Sequence, residues 1–98
     1  MTAFVQLRDY TRAPAPTFEL PTDFERQHLS EGTLVKCVFE LNTPKEHEHF
    51  PERMWIQVSQ VLPEGVYVGH LMNEPLALPL QYGETITFTW RNVICIAE

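Results

Sequence analysis

From Thr33 onward apolar side chains recur at every second position, and this period constrains the fold more than any other feature of the chain. Residues i and i+2 of an extended strand share a face, so the pattern predicts strands that bury one side only. In Leu34–Leu41, Val35, Cys37, Phe39 and Leu41 fall on one face, with Lys36 and Glu40 on the other. In residues 53–62, Met54, Ile56 and Val58 alternate with Arg53, Gln57 and Ser59. Residues 66–72 form a third such run. In residues 85–90, Ile86, Phe88 and Trp90 alternate with threonines, and Val93–Ile96 closes the series. Proline and glycine punctuate the strands. Leu62-Pro63-Glu64-Gly65 predicts a hairpin turn, Asn73-Glu74-Pro75 a stop, and Tyr82-Gly83-Glu84 a second turn. Residues 76–80, broken by Pro79, predict an edge or a crossover.

Upstream the pattern differs. Residues 4–8 predict a short edge strand, and Ala13-Pro14-Ala15-Pro16 a stiff connector lying over the domain. Thr22-Asp23-Phe24-Glu25 matches a capping box, a Thr whose hydroxyl and a Glu three residues on satisfy each other's backbone N–H. The helix it opens should span residues 22–31, with Phe24, His28 and Leu29 turned inward, and end near Gly32. The expected fold is therefore α+β and mostly β: a strongly bent antiparallel sheet or small open barrel of five to six strands with one short helix over an opening. A chain of 98 residues makes one domain, 1–98, with an arm over 1–21, the helix over 22–31 and the sheet over 33–98.

Charge narrows the function. Seven Lys+Arg against thirteen Asp+Glu give a net −6, and both halves of the chain are acidic. Nucleic-acid binding draws on phosphate neutralisation, and this chain is short of the cations it needs. Anionic membrane surfaces are disfavoured for the same reason. The N-terminal residues carry no basic, apolar signal pattern, and the longest apolar run, Val93-Ile94-Cys95-Ile96-Ala97, is too short to cross a bilayer. A cytoplasmic setting is the expectation. Cys37 and Cys95 both lie in apolar runs and are expected as buried thiols, with a disulfide between them as the alternative.

Three constellations bear on chemistry. Glu46-His47-Glu48-His49 places two imidazoles on one side of an extended loop, a spacing that offers Zn²⁺ or Ni²⁺ a pair of ligands in His47 and His49; the alternative is a solvated polar loop. If the hairpin pairs Val61 with Val66, Gln57 faces His70, and Ser59 lies diagonal to His70. A Ser–His nucleophile would still want an orienting acid and an oxyanion hole, and no glycine-rich turn beside Ser59 supplies one. In that register Met54, Ile56 and Val58 share the core face with Leu71, Gly69 and Tyr67. The other face gathers Trp55, Met72, Val61 and Val66 among Arg53, Gln57, Ser59 and His70. A large indole on the polar side is either covered by the arm or helix, or is part of a binding patch made of Arg53, Trp55, Gln57, His70 and Met72. The glycines form no phosphate-cradling pattern, and no cofactor is expected.

Several segments carry a resemblance. Glu52-Arg53-Met54-Trp55-Ile56, then Val68-Gly69-His70-Leu71-Met72-Asn73-Glu74-Pro75, then Leu80-Gln81-Tyr82-Gly83-Glu84-Thr85-Ile86-Thr87-Phe88, then Val93-Ile94 resemble, in order and spacing, a family of small bacterial domains of unknown function. Some of its members are described as immunity proteins of bacterial competition systems. The chain departs from the pattern at Cys95, where an Asp commonly follows the isoleucine, and at His70, where a small or charged residue follows the glycine. The resemblance implies a β scaffold and an interaction role, with no catalytic assignment to carry over. The function expected is that of a non-enzymatic bacterial protein-interaction domain, immunity-like; the alternative is a metal or small-ligand binder through Glu46-His47-Glu48-His49. An unpaired strand edge also admits a homodimer.

Overall fold

The computed structural model describes residues 5–13, 18–41 and 51–97. Among them, six antiparallel strands form one sheet: β1 (Val5–Leu7), β2 (Leu34–Leu41), β3 (Glu52–Leu62), β4 (Val66–Leu71), β5 (Thr85–Thr89) and β6 (Val93–Ile96). Strands β1 to β5 are neighbours in chain order, and β6 returns to pair with β2. The two short strands share one edge of β2, with β1 on residues 39–41 and β6 on residues 35–37. A 3-10 turn, Trp90–Asn92, lies between β5 and β6, so that β5 pairs with β4 while its continuation pairs with β2. That crossing rolls the sheet into a nearly closed barrel, the mostly β architecture the alternation predicts.

The core is built from the predicted faces. Val35, Cys37 and Phe39 of β2, Met54, Ile56 and Val58 of β3, and Tyr67 and Leu71 of β4 are all buried, joined by Phe88 and Val93. Asn92 fastens the barrel at the 3-10 turn. Its side-chain carbonyl accepts the Thr89 N–H at 2.8 Å, and its amide donates to the Asp9 carboxylate at 2.8 Å and to the Arg8 carbonyl at 3.2 Å.

The β3–β4 hairpin departs from the expected register by one residue at its turn. Gln57 faces His70, as expected, but a bulge at Ser59 shifts the remainder, so Leu62 rather than Val61 pairs with Val66. A bulge puts two residues against one and bends the strand. Here it sets Val61 opposite the core residue Tyr67 and removes it from the Trp55 face. Gly69 is required at this bend: a Cβ there would stand 2.5 Å from both the Gln57 carbonyl oxygen and Ile56 Cγ2.

Helix α1 (Asp23–Gln27) begins as predicted. The Glu25 N–H donates to the Thr22 hydroxyl at 3.0 Å, and the Thr22 N–H donates to the Glu25 carboxylate at 2.9 Å. Its length and orientation differ from expectation. After Gln27 the chain leaves the helix, and the Leu29 N–H donates to the Tyr67 hydroxyl inside the barrel mouth. Leu29 is buried, but Phe24 is 69% exposed and His28 is exposed too. The inward residue is Arg26, 1% exposed. Its guanidinium donates to the Tyr10 carbonyl at 2.7 Å, the Val93 carbonyl at 3.2 Å and the Asp23 carboxylate at 3.0 Å, and it lies 5.0 Å from the Trp90 ring centre. The helix thus docks where the Tyr10 and Val93 carbonyls meet it, and a guanidinium donates to both where a phenyl ring could satisfy neither.

Residues 76–80 are a bent loop rather than an extended segment, with Leu78 buried. The Glu52 carboxylate organises it by accepting the N–H groups of Leu76, Ala77 and Leu78 at 2.8, 2.9 and 3.1 Å. Most of the connector expected at Ala13-Pro14-Ala15-Pro16, and the loop over 42–50, lie outside the described residues. No helix among the described residues is long and apolar enough to cross a membrane.

Candidate functional site

Strand pairing assembles the candidate surface in cross-strand rows on the side of the sheet facing away from the core. Cα partners Cys95, Lys36 and Trp55 follow one another across β6, β2 and β3. Met72 extends that row, since its N–H donates to the Trp55 carbonyl at 2.9 Å. The adjacent row runs Leu34, Gln57, His70, Thr85, and the row on the other side pairs Val38 with Arg53. All five residues expected to form a binding patch therefore lie together: Arg53, Gln57 and His70 exposed, Trp55 and Met72 half-buried.

Trp55 is fixed at both levels of its structure. The Asn73 side-chain oxygen accepts its backbone N–H at 2.6 Å. This gives Asn73, in the Gly-x-Leu-x-Asn-x-Pro run, a role other than the self-bonded turn its residue type favours. Above the indole stands Lys36, its ammonium 4.7 Å from the ring centre. The arm crosses one row away, where Phe18 lies 5.8 Å from the Arg53 guanidinium and stacks on Tyr10 at the same separation. Val38, on this outward face, is only 3% exposed. The ring of the arm's Phe18 thus accompanies Arg53, while the ring of Trp55 accompanies Lys36.

Lys36 and Phe18 are members of the surface that the sequence did not reveal. The alternation places Lys36 on the outward face, but only the β2–β3 register puts it opposite Trp55. That register is set across the long connection over 42–51 and leaves no local mark.

Ser59 and His70 are both exposed, and the Ser59 hydroxyl donates to the Val68 carbonyl at 3.1 Å. The bulge at Ser59 breaks the diagonal relation to His70 that an unshifted ladder would give. His47 and His49 lie outside the described residues. Among the described residues, no three of His, Cys, Asp and Glu gather as metal ligands.

The cysteines separate. Both are free; Cys37 is buried, and Cys95 is exposed, contrary to the expectation of two buried thiols. Burial pushes the Cys37 thiol well above its ordinary range, which keeps it protonated. Cys95 projects outward because it pairs with Lys36 and so shares that residue's face. Farther along β2, Glu40 is bound by its own neighbours: Arg8 donates to it through Nε at 3.0 Å and Nη2 at 2.6 Å, and Gln6 through its amide at 3.1 Å. The hydrogen bond from Arg8, with that from Gln6, holds the Glu40 carboxyl below the usual carboxylate range, and the bond to Glu40 in turn raises Arg8.

Comparison of the chain with protein-family models, with curated proteins and with solved structures finds no match in any of the three.

Proposed function

We propose that this protein is a non-enzymatic bacterial interaction module, immunity-like in role and cytoplasmic, which receives a protein partner on the outward face of β2, β3 and β4. One observation carries the reading: Trp55 and Met72 stand adjacent and half-exposed on a rigid sheet, ringed by exposed Arg53, Gln57 and His70. Aromatic, Met and Arg side chains concentrate at protein interfaces, and a hydrogen-bonded sheet face holds them in place before the partner arrives. The resemblance to small bacterial domains, some of them immunity proteins, points the same way.

The test is affinity capture from the native host's lysate with the wild-type chain and with Trp55→Ala combined with Met72→Ala. The double variant is expected to lose the captured protein while its thermal stability falls by about 1 kcal/mol or less. Capture unchanged by the substitutions overturns this face as the interface. A loss of several kcal/mol in stability would assign the pair to architecture instead.

A further inference from the structure

Resting on the interaction reading above, we infer that the partner presents an acidic extended segment, with carboxylates meeting Lys36 and Arg53 and an apolar side chain seated between Trp55 and Met72.

The charge on this face has the opposite sign to the rest of the chain. The protein carries net −6, yet the three cross-strand rows around Trp55 contain Lys36, Arg53 and His70 and no carboxylate. Of the other described cations, Arg8 is paired with Glu40 and the buried Arg26 with Asp23, Arg91 lies over the Trp90 ring, and Arg12 lies on the arm outside these rows. Among the described residues neither Lys36 nor Arg53 belongs to an ion pair. Each instead lies over an aromatic ring, Lys36 over Trp55 and Arg53 near Phe18. The rings hold the charged heads themselves, Lys36 Nζ 4.7 Å from the Trp55 centre and the Arg53 guanidinium carbon 5.8 Å from that of Phe18, so both cations are ordered before a ligand binds.

Spacing selects the ligand's shape. Lys36 is the cross-strand partner of Trp55, and Arg53 lies two residues from Trp55 on β3, which sets the two residues diagonally on one face, about 7–8 Å apart at the backbone. Carboxylates at i and i+2 of an extended chain are separated by about 7 Å. The apolar pair beside them offers the non-ionic anchor that a solvent-exposed ion pair cannot supply, since such pairs contribute only about 0–1 kcal/mol each. The same arithmetic disfavours a nucleic acid: two ordered cations are few against the roughly six to ten phosphate contacts of a typical site, and the surrounding acidic surface repels a polyanion. It disfavours an anionic bilayer too, where each basic side chain adds about 1 kcal/mol.

Among the described residues, this face of β2 carries an exposed contact of this kind internally. Glu40, on the same face of β2, is held by Arg8 through two N–H groups. Both of those N–H groups converge on one Glu40 oxygen, and a partner's carboxylate would meet Arg53 through charge-assisted hydrogen bonds of the same type.

The test is an amide and indole NMR titration of the isotope-labelled full chain with three short synthetic peptides. One has a Glu-Leu-Glu centre; in the others Lys or Gln replaces both acids. Phosphatidylserine vesicles and a single-stranded oligodeoxynucleotide form two further arms. The Glu peptide is expected to shift the Trp55 indole and the Gln57 and His70 amides, to bind about tenfold or more tighter than the Gln peptide, and to weaken as salt is added. Lys36→Glu with Arg53→Glu should abolish that binding and transfer it to the Lys peptide, a gain that misfolding cannot produce. Equal or tighter binding of the Gln or Lys peptide at Trp55 overturns the acidic assignment and leaves the face standing. Shifts from the Glu peptide confined to other surfaces, or none at all, also overturn it, and the capture experiment with Trp55→Ala then judges the face separately. Stronger binding of vesicles or oligonucleotide to these residues overturns it in favour of phosphate.

Discussion

The Trp55 face and the cleft beside the helix are neighbours with opposite construction. The face belongs to regular strands, and its side chains are spaced by the ladder. The cleft, about 590 Å³, lies among residues 19–21 of the arm, α1, the chain that follows the helix, and β6, so the sheet supplies only one of its walls. It contributes the carboxylates of Glu19 and Glu25, the exposed Phe24 ring stacked on His28 with centres 4.1 Å apart, and the Cys95 thiol. Cys95 belongs to both regions, lining the cleft while pairing with Lys36. The rows around Trp55 offer cations without acids, and the cleft has acids in its lining without Lys or Arg. The difference teaches that the face stands on the barrel's own hydrogen bonds, whereas the cleft depends on whatever holds the arm and helix in place.

Arg26 is that holding group, so the sharpest way to break the comparison is Arg26→Met. The guanidinium joins the arm at the Tyr10 carbonyl, β6 at the Val93 carbonyl, the helix at Asp23 and the 3-10 turn at Trp90. Its removal leaves the Tyr10 and Val93 carbonyls without this donor, at about 1–3 kcal/mol for each that stays buried, while Asp23, 64% exposed, returns to solvent. Urea denaturation should show that loss. Hydrogen exchange should show Leu29 and β6 opening well before the β3–β4 hairpin. A loss below about 1 kcal/mol would mean the arm is held by other contacts.

Gly69→Ala attacks the face instead. The added methyl meets the Gln57 carbonyl and Ile56 Cγ2 far inside contact distance, and backbone cannot yield there without moving the Ser59 bulge. Overpacking of this kind costs about 1–3 kcal/mol. The expected signature is displaced amide shifts at Gln57, Ser59 and His70, weaker binding of the acidic peptide, and little change at Phe24 or Cys95. If the cleft residues move as much as the hairpin does, the two regions are one cooperative unit and the distinction falls.

What the sequence displayed follows the same division. Period-two alternation exposed the inward sets of β2, β3 and β4, because a strand with one buried face can tolerate no other pattern. Thr22 and Glu25 announced the helix start, since a cap is a contact between residues three apart. The inward burial of Arg26 was hidden, because its partners Tyr10 and Val93 lie far away in the chain and an arginine carries no periodic signal. The Ser59 bulge was hidden too, since the turn chemistry of Pro63 and Gly65 fits either register. At the candidate site, the alternation brought Trp55, Gln57 and Arg53 to one face, and the hairpin added His70 and Met72. Lys36 opposite Trp55, and Phe18 beside Arg53, rest on tertiary placement alone. The exposure of Cys95 came from its pairing with Lys36, where an apolar run had predicted burial.

Glu40 gives the smallest effect and the finest test of the face's charge. Its carboxylate clips β1 to β2 through Gln6 and Arg8, and the Arg8 side chain remains 44% exposed, so solvent screening limits the contribution to about 0.5–1 kcal/mol. Because the folded carboxyl titrates below its unfolded value, this stabilisation is fully present above the ordinary carboxylate range and is lost as pH falls through the lowered folded value. Glu40→Gln should therefore be slightly less stable than the wild type in neutral urea titrations, with the gap closing as acid protonates Glu40 in the folded wild type. A gap that stays constant down through the acid limb would mean that Arg8 and Gln6 hold β1 without help from the carboxylate charge. The same substitution frees Arg8 on the face that carries Lys36 and Arg53. The acidic peptide should then bind Glu40→Gln as tightly as the wild type or slightly tighter, whereas a partner recognised by shape alone would register only the loosened strand.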